Sequence, residues 1–141
     1  MGDENNEILS GETQETAQAK IKAMRKNIIM KDQNVHIAGT EEYNQRQIAK
    51  RSIGEYGPSI IYGGIQEAQA LVDKYAGTGT ANIRNGIWTR TEDIETDSVI
   101  GIVVNNLNGV EQLTANFKIH YADDGTHIVP DYDNSRRGMK P

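Results

Sequence analysis

Apolar residues return at helical spacing along two stretches of the first eighty residues of this chain and at alternate positions along the C-terminal half. From Thr13 the segment TQETAQAKIKAMRK is rich in helix formers, and Ala17, Ile21, Met24 and, just beyond it, Ile28 recur on one face, which predicts a first helix with a basic outer side. KDQNVHIAGT breaks that pattern with Asp, Asn and Gly and reads as a loop carrying His36. TEEYNQRQIAKRS follows as a second helix, with Thr40 as its cap and acids in its first turn. After the turn-rich EYGPSIIYGG, IQEAQALVDKYAG places Ala68, Leu71, Val72, Tyr75 and Ala76 on one side of a third helix, and Gly77 suits the position just past its end. From there the period changes to two. Strand-like runs cover Ile83 to Thr89, Val99 to Asn105, Val110 to Tyr121 and Thr126 to Tyr132, separated by turn formers such as NLNG and ADDG. Helices first and strands second predict an α+β fold, N-terminal helices on an antiparallel meander, because parallel strands would need helices between them.

Length limits this plan to one domain: 141 residues support a single core. The boundaries expected are an acidic tail or linker over 1–13, one domain over 14–133 and a basic tail over 134–141. No apolar run reaches the roughly 18 residues of a membrane span, so no membrane partner is expected. The start MGDENNEILS lacks the basic and apolar regions of a secretory signal, so any export needs another route. The absence of Cys removes disulfides, thiolate chemistry and Cys-based metal sites.

The net charge of -5 is unevenly spread. Asp3, Glu4, Glu7, Glu12 and Glu15 meet no Lys or Arg within the first 15 residues, so this stretch alone accounts for the total. Residues 16–51 carry eight cations against three acids, whereas residues 92–133 carry Lys118 against nine acids. Tight non-specific binding to duplex nucleic acid is not what this distribution predicts, because such binders carry an extended basic patch. Catalytic handling of a few nucleotides is compatible with it.

Two of the three histidines flank one turn in KIHYADDGTHIVP. If Ala122 to Gly125 form the hairpin loop, His120 pairs with His127, Tyr121 with Thr126 and Lys118 with Val129. That register puts His120, His127 and Lys118 on one sheet face and turns Ile119, Tyr121, Thr126 and Ile128 to the other. A one-residue slip would separate the imidazoles. Paired imidazoles beside a fixed cation suit metal-independent RNA cleavage. One imidazole takes the proton of a ribose 2'-hydroxyl, the other protonates the 5'-oxygen, and Lys118 steadies the phosphorane. An ordinary cross-strand polar pair on a solvated face fits the same spacing. GTGT over 77–80 follows a helix, whereas a phosphate-cradling loop precedes one, so it reads as a turn with Thr78 or Thr80 as a minor donor. Asp123, Asp124, Asp131 and Asp133 lack cation-loop spacing and read as a solvated or partner-facing edge, and Trp88 reads as core.

Five segments in order, NVHIAGTEEY, LVDKYAGTGT, IWT, VIGIVVNNLNG and FKIHYADDGTHIVP, resemble the polymorphic toxin type 50 domain, found in bacterial toxin systems and at the C-termini of phage minor head proteins. The resemblance spans about residues 31–132, and FKIHY followed by GTHIVP is its most specific part. It implies helices on a roughly four-stranded antiparallel sheet, the fold of barnase, EndoU, colicin and RelE-like ribonucleases. The activity it implies is an endoribonuclease without cofactor or metal, acting in the bacterial cytoplasm or carried in a phage virion. RNA would be the substrate, and an immunity protein or phage head proteins the partners. It carries a catalytic expectation onto His36, Lys118, His120, Thr126 and His127. His120 and His127 would be the acid/base pair, with Lys118 on the phosphate. His36 and Thr126 would position the substrate or serve as an alternative acid/base member. Two other readings compete: a non-catalytic virion or head-morphogenesis module, and a metal site in which the histidine pair recruits His36 and an Asp.

Overall fold

The computed structural model describes residues 11–133, and these form an α+β fold with two antiparallel sheets. The expected C-terminal tail and most of the expected N-terminal one lie outside the described residues. Helix α1 (Gln14–Ala23) is capped by Thr13, and α3 (Glu41–Ser52) by Thr40, whose Oγ1 accepts the Tyr43 amide proton at 3.1 Å. Helix α4 (Ile65–Tyr75) buries Ala68 and Val72 of its predicted face, and Leu71 and Tyr75 pack partly buried against the same core. The expected loop over residues 31–40 is helical at its start. A short helix α2 (Met30–Asn34) occupies it, and its residue pattern is too brief to show a period.

The main sheet has the order β2-β3-β6-β7, built from β2 (Thr80–Arg84), β3 (Ile87–Glu95), β6 (Asn116–Ala122) and β7 (Gly125–Asp131). A smaller sheet has the order β1-β4-β5, from β1 (Ile60–Ile61), β4 (Gly101–Val104) and β5 (Glu111–Thr114). Two of the predicted runs divide. Ile83 to Thr89 turns back on itself at Asn85-Gly86, both at positive φ (54° and 77°), the conformation that tight hairpins require and that Asn-Gly adopts most easily. Val110 to Tyr121 changes sheets at Ala115, because β5 pairs with β4 while β6 pairs with β3 and β7.

One face of the main sheet is dry. Phe117, Ile119, Tyr121, Ile94 and Ile128 point from it toward Ala17 and Ile21 of α1 and Ala68 and Val72 of α4. Trp88 joins them, its indole N–H donating to the Thr91 carbonyl at 3.0 Å. Glu92 is also buried here. Its carboxylate accepts from the Tyr121 hydroxyl (2.7 Å) and from the backbone N–H groups of Gly77 (3.0 Å) and Gly79 (2.7 Å). Three donors offset the penalty of placing a carboxylate in the core. The GTGT segment therefore serves as a carboxylate cradle for β3 as well as a helix end, where the Thr78 hydroxyl donates to the Tyr75 carbonyl. With α1 and α4 on this face, the opposite face is free of these helices, and its Lys118, His120 and His127 are half-buried.

Candidate functional site

Strand alternation decides what the opposite face carries. The β6–β7 hairpin pairs Ala122 with Gly125, Tyr121 with Thr126, His120 with His127, Ile119 with Ile128 and Lys118 with Val129, the register the sequence predicts. His120 and His127 therefore sit side by side on this face, their rings stacked at 4.8 Å between centroids and 8° between planes. β3 brings Thr91 opposite His120 and Asp93 opposite Lys118. The Lys118 ammonium lies 3.9 Å from the Asp93 carboxylate, and the Asn82 amide of β2 donates to both Thr91 (2.9 Å) and Asp93 (3.1 Å).

His36, nearly ninety residues earlier in the chain, completes the row. Its ring is parallel to that of His127, 6.2 Å away and tilted by 5°, so the three histidines stand in the order His36, His127, His120. The cover over the outer edge of β7 puts it there. Asn27 accepts the Thr126 amide proton at 2.8 Å, and the Ile29 amide donates to the Thr126 carbonyl at 2.8 Å. Gly125 is required for this approach, since a Cβ there would lie 2.5 Å from the Asn27 oxygen. Further along, the buried Gln33 side chain acts as a surrogate strand: its amide donates to the Ile128 carbonyl (2.9 Å) and accepts the Ile128 N–H (2.7 Å). The Gln33 carbonyl then accepts the His36 amide proton, and the Ile61 amide donates to the His36 carbonyl, so α2 and β1 hold His36 beside β7. Nothing in the local sequence marks Gln33, because a polar residue in a short helix has no pattern that says which strand edge it will close.

Thr126 is not brought to the row. It is fully buried on the helix-packed face, with its hydroxyl 3.4 Å from the Lys26 carbonyl. Its main chain, not its side chain, serves the site.

Electrostatics hold the row neutral. Burial pushes the His36 imidazole down to about 4, helped by the charges of His127, Arg46 and Lys50, while its bond to the Ser59 carbonyl opposes the shift. Burial likewise takes His120 down to about 4, reinforced by His127, Lys118 and His36 and opposed by Asp131. His127 is also lowered by burial, but Asp32 pulls it back up. The tautomer of His36 follows from its partner. A carbonyl only accepts, so the 2.9 Å contact of Nδ1 with Ser59 puts the proton on Nδ1 and leaves the lone pair on Nε2. Arg46 and Lys50 belong to α3, so part of the basic N-terminal half does lie beside the histidine face, whereas α1 lies across the sheet from it.

A metal reading fits this arrangement poorly. An imidazole directs its lone pair in its own plane, and three rings in nearly parallel planes cannot aim three lone pairs at one ion. Among the described residues no group of three or more His, Asp or Glu side chains is placed to hold a metal ion.

Neutral imidazoles make folding stability depend on pH with a definite sign. Below the ordinary value of 6.5 the unfolded chain takes up protons that the folded row refuses until about pH 4. Stability is therefore complete above pH 6.5 and falls as pH drops through that window, by up to about 1.4 kcal/mol per pH unit for each imidazole. Urea midpoints between pH 7.5 and 4.5 should show a shallower decline for His120→Gln than for the wild type. Equal slopes would mean that the row does not carry the effect.

A family model described as bacterial toxin 50 matches residues 28–130, an interval that runs from the edge cover of β7 to the end of the histidine hairpin. The chain belongs to the bacterial toxin 50 family. No curated protein and no solved structure matches it. All three histidines, Lys118 and Gln33 fall within the toxin domain so defined, which makes the imidazole row a property of the domain and not of flanking sequence. Among the described residues of the toxin no helix is long and apolar enough to cross a membrane.

Proposed function

We propose that this toxin domain is a metal-independent endoribonuclease, the effector part of a polymorphic toxin or a phage head protein. It would cleave RNA by 2'-hydroxyl attack to leave a 2',3'-cyclic phosphate and a 5'-hydroxyl. The observation that carries this reading is the row of three half-buried imidazoles on the sheet face opposite α1 and α4, with Lys118 on the same face.

The attacking and leaving oxygens lie on opposite sides of the phosphorus, so base and acid must be spaced apart and each must reach its own proton. His120 and His127, in stacking contact, are closer together than this demands, and His36 supplies the missing spacing. We assign His36 as the base, since its Nε2 lone pair is free of the Ser59 bond. His127 is the acid, since it is the imidazole that Asp32 helps to charge. His120 and Lys118 then face the phosphoryl oxygens and stabilise the charge that builds on them. An arriving phosphate dianion or phosphodiester raises the proton affinity of a neutral row, so binding itself supplies the imidazolium the leaving group needs. Arg46 and Lys50 favour approach of the polyanion from the α3 side. Thr126 contributes through its backbone hold on residues 27–29.

The test is incubation of purified protein with bacterial RNA in excess EDTA, followed by analysis of fragment ends. Cyclic-phosphate and 5'-hydroxyl ends are expected. Intact RNA across a wide range of protein concentration would overturn the reading. It would favour instead a non-catalytic phage-head or partner-binding module, for which exposed Leu107, Val110 and Leu113 around β5 offer an apolar surface.

A further inference from the structure

We propose that Asn82 is a positioning residue of this toxin: its side-chain amide fixes Asp93 and, through it, the Lys118 ammonium beside His120. The inference rests on the RNA-cleaving reading above. Contacts run stepwise from β2 to β6. The Asn82 amide donates to Asp93 Oδ1 at 3.1 Å and to Thr91 Oγ1 at 2.9 Å, and Asp93 Oδ1 lies 3.9 Å from Lys118 Nζ. Strand pairing sets Asp93 opposite Lys118 and Thr91 opposite His120, so the row of His36, His127 and His120 continues onto β3 at Thr91 and onto β2 at Asn82. Asn82, Thr91, Asp93, Lys118 and His120 are all half-buried.

The backbone is distorted where Asn82 makes these contacts. β2 pairs Ala81 with Glu92 and Ile83 with Trp88, so Asn82 alone stands against Thr89, Arg90 and Thr91 of β3. Alternation between the buried Trp88 and Glu92 would turn Arg90 toward the core. Instead Arg90 adopts φ 66°, a strained conformation for a residue with a Cβ, and its guanidinium reaches Asp123 of the hairpin turn at 2.6 Å. The Thr89 hydroxyl donates to the Asn82 carbonyl at 3.1 Å and so holds the main chain of the bulge against β2. Bulges beside active sites serve to re-aim a side chain, and strain of this kind persists where the surrounding contacts hold it. Here the side chain so aimed is the Asn82 amide, which reaches Thr91 and Asp93 together.

The partners fix the direction of that amide. A carboxylate only accepts, so the NH2 group of Asn82, and not its oxygen, faces Asp93, and the second N–H is the one that meets Thr91. A lysine carries its ammonium on a flexible four-carbon stem, and an ammonium free to sample every rotamer spends little of its time where charge builds on the phosphoryl group. Asp93 restricts that freedom, and Asn82 restricts Asp93. The cation is thus in place before the substrate arrives, and stabilising the transition state needs no reorganisation at the moment of reaction. Asn82 acts through Asp93 and not on the RNA itself.

The experiment is a double-mutant cycle on RNA cleavage by the full chain, with Asn82→Ala made in the wild type and in Lys118→Ala. In the wild type Asn82→Ala should lower kcat by about 10- to 100-fold with KM nearly unchanged, the scale of a misplaced reacting group. In Lys118→Ala the same change should cost less than about twofold, because the group it positions is gone. Equal losses in the two backgrounds would mean a merely structural role and would overturn the proposal, as would wild-type kcat in Asn82→Ala. Asp93→Asn should reproduce the pattern, and it carries the cycle if Asn82→Ala does not fold. If the wild type cuts no RNA, the nuclease reading fails, and acylation of Lys118 by an amine-reactive reagent, read by mass spectrometry with the exposed Lys31 as reference, decides the hold on Lys118 alone. Acylation faster by at least about threefold in Asn82→Ala than in the wild type would uphold that hold, and an unchanged rate would overturn it.

Discussion

Alanine in place of His127 is expected to slow RNA cleavage by a factor of about 10² to 10⁴, the range associated with losing a positioned acid or base. His127 is the middle ring of the row and the only one stacked on both sides, so its removal separates His36 from His120. A second readout does not depend on turnover. Because the His127 charge helps to depress both neighbours, His36 and His120 should titrate closer to their ordinary value in the variant, visible as upward shifts of their imidazole resonances with pH. The fold should persist, since the ring lies on the face opposite α1 and α4 and the core pairing of Ile119 with Ile128 is untouched. Cleavage within a factor of ten of wild type, with unmoved neighbours, would remove His127 from the mechanism.

Gln33→Leu should be the most damaging substitution that touches no reacting group. The leucine fills similar space but strands the Ile128 N–H and C=O, both buried, at about 1–3 kcal/mol for each unpaired group. A loss of about 2–5 kcal/mol corresponds to a fall in Tm on the order of 10 °C for a domain of this size. Activity should drop even where the protein is still folded, because the Gln33 carbonyl that fixes His36 moves with the loosened helix. Unchanged Tm and unchanged cleavage together would show that residues 27–29 hold the β7 edge by themselves.

How much of this was legible in the sequence depends on the range of the interactions involved. The hairpin register, and with it the pairing of His120 with His127, follows from period-two alternation around one turn, which is local information. The Thr40 cap and the buried face of α4 are local in the same sense. The turn within Ile83 to Thr89 was also written locally, in Asn85-Gly86, but a continuous apolar alternation masks it. The split of Val110 to Tyr121 between two sheets was not, because alternation persists through Ala115 and only tertiary pairing assigns each half. His36 was legible through the family resemblance and not through spacing. Its place beside His127 depends on Gln33 and Ser59, whose partners are 95 and 23 positions away.

The cover of β7 by residues 27–33 also sets a schedule for synthesis. The N-terminal helices leave the ribosome well before β7 does, yet the imidazole row exists only once the last strand of the main sheet has joined them. A nascent toxin chain thus carries His36 long before it carries His127. The order of the chain therefore delays assembly of the row until the β6–β7 hairpin has been made.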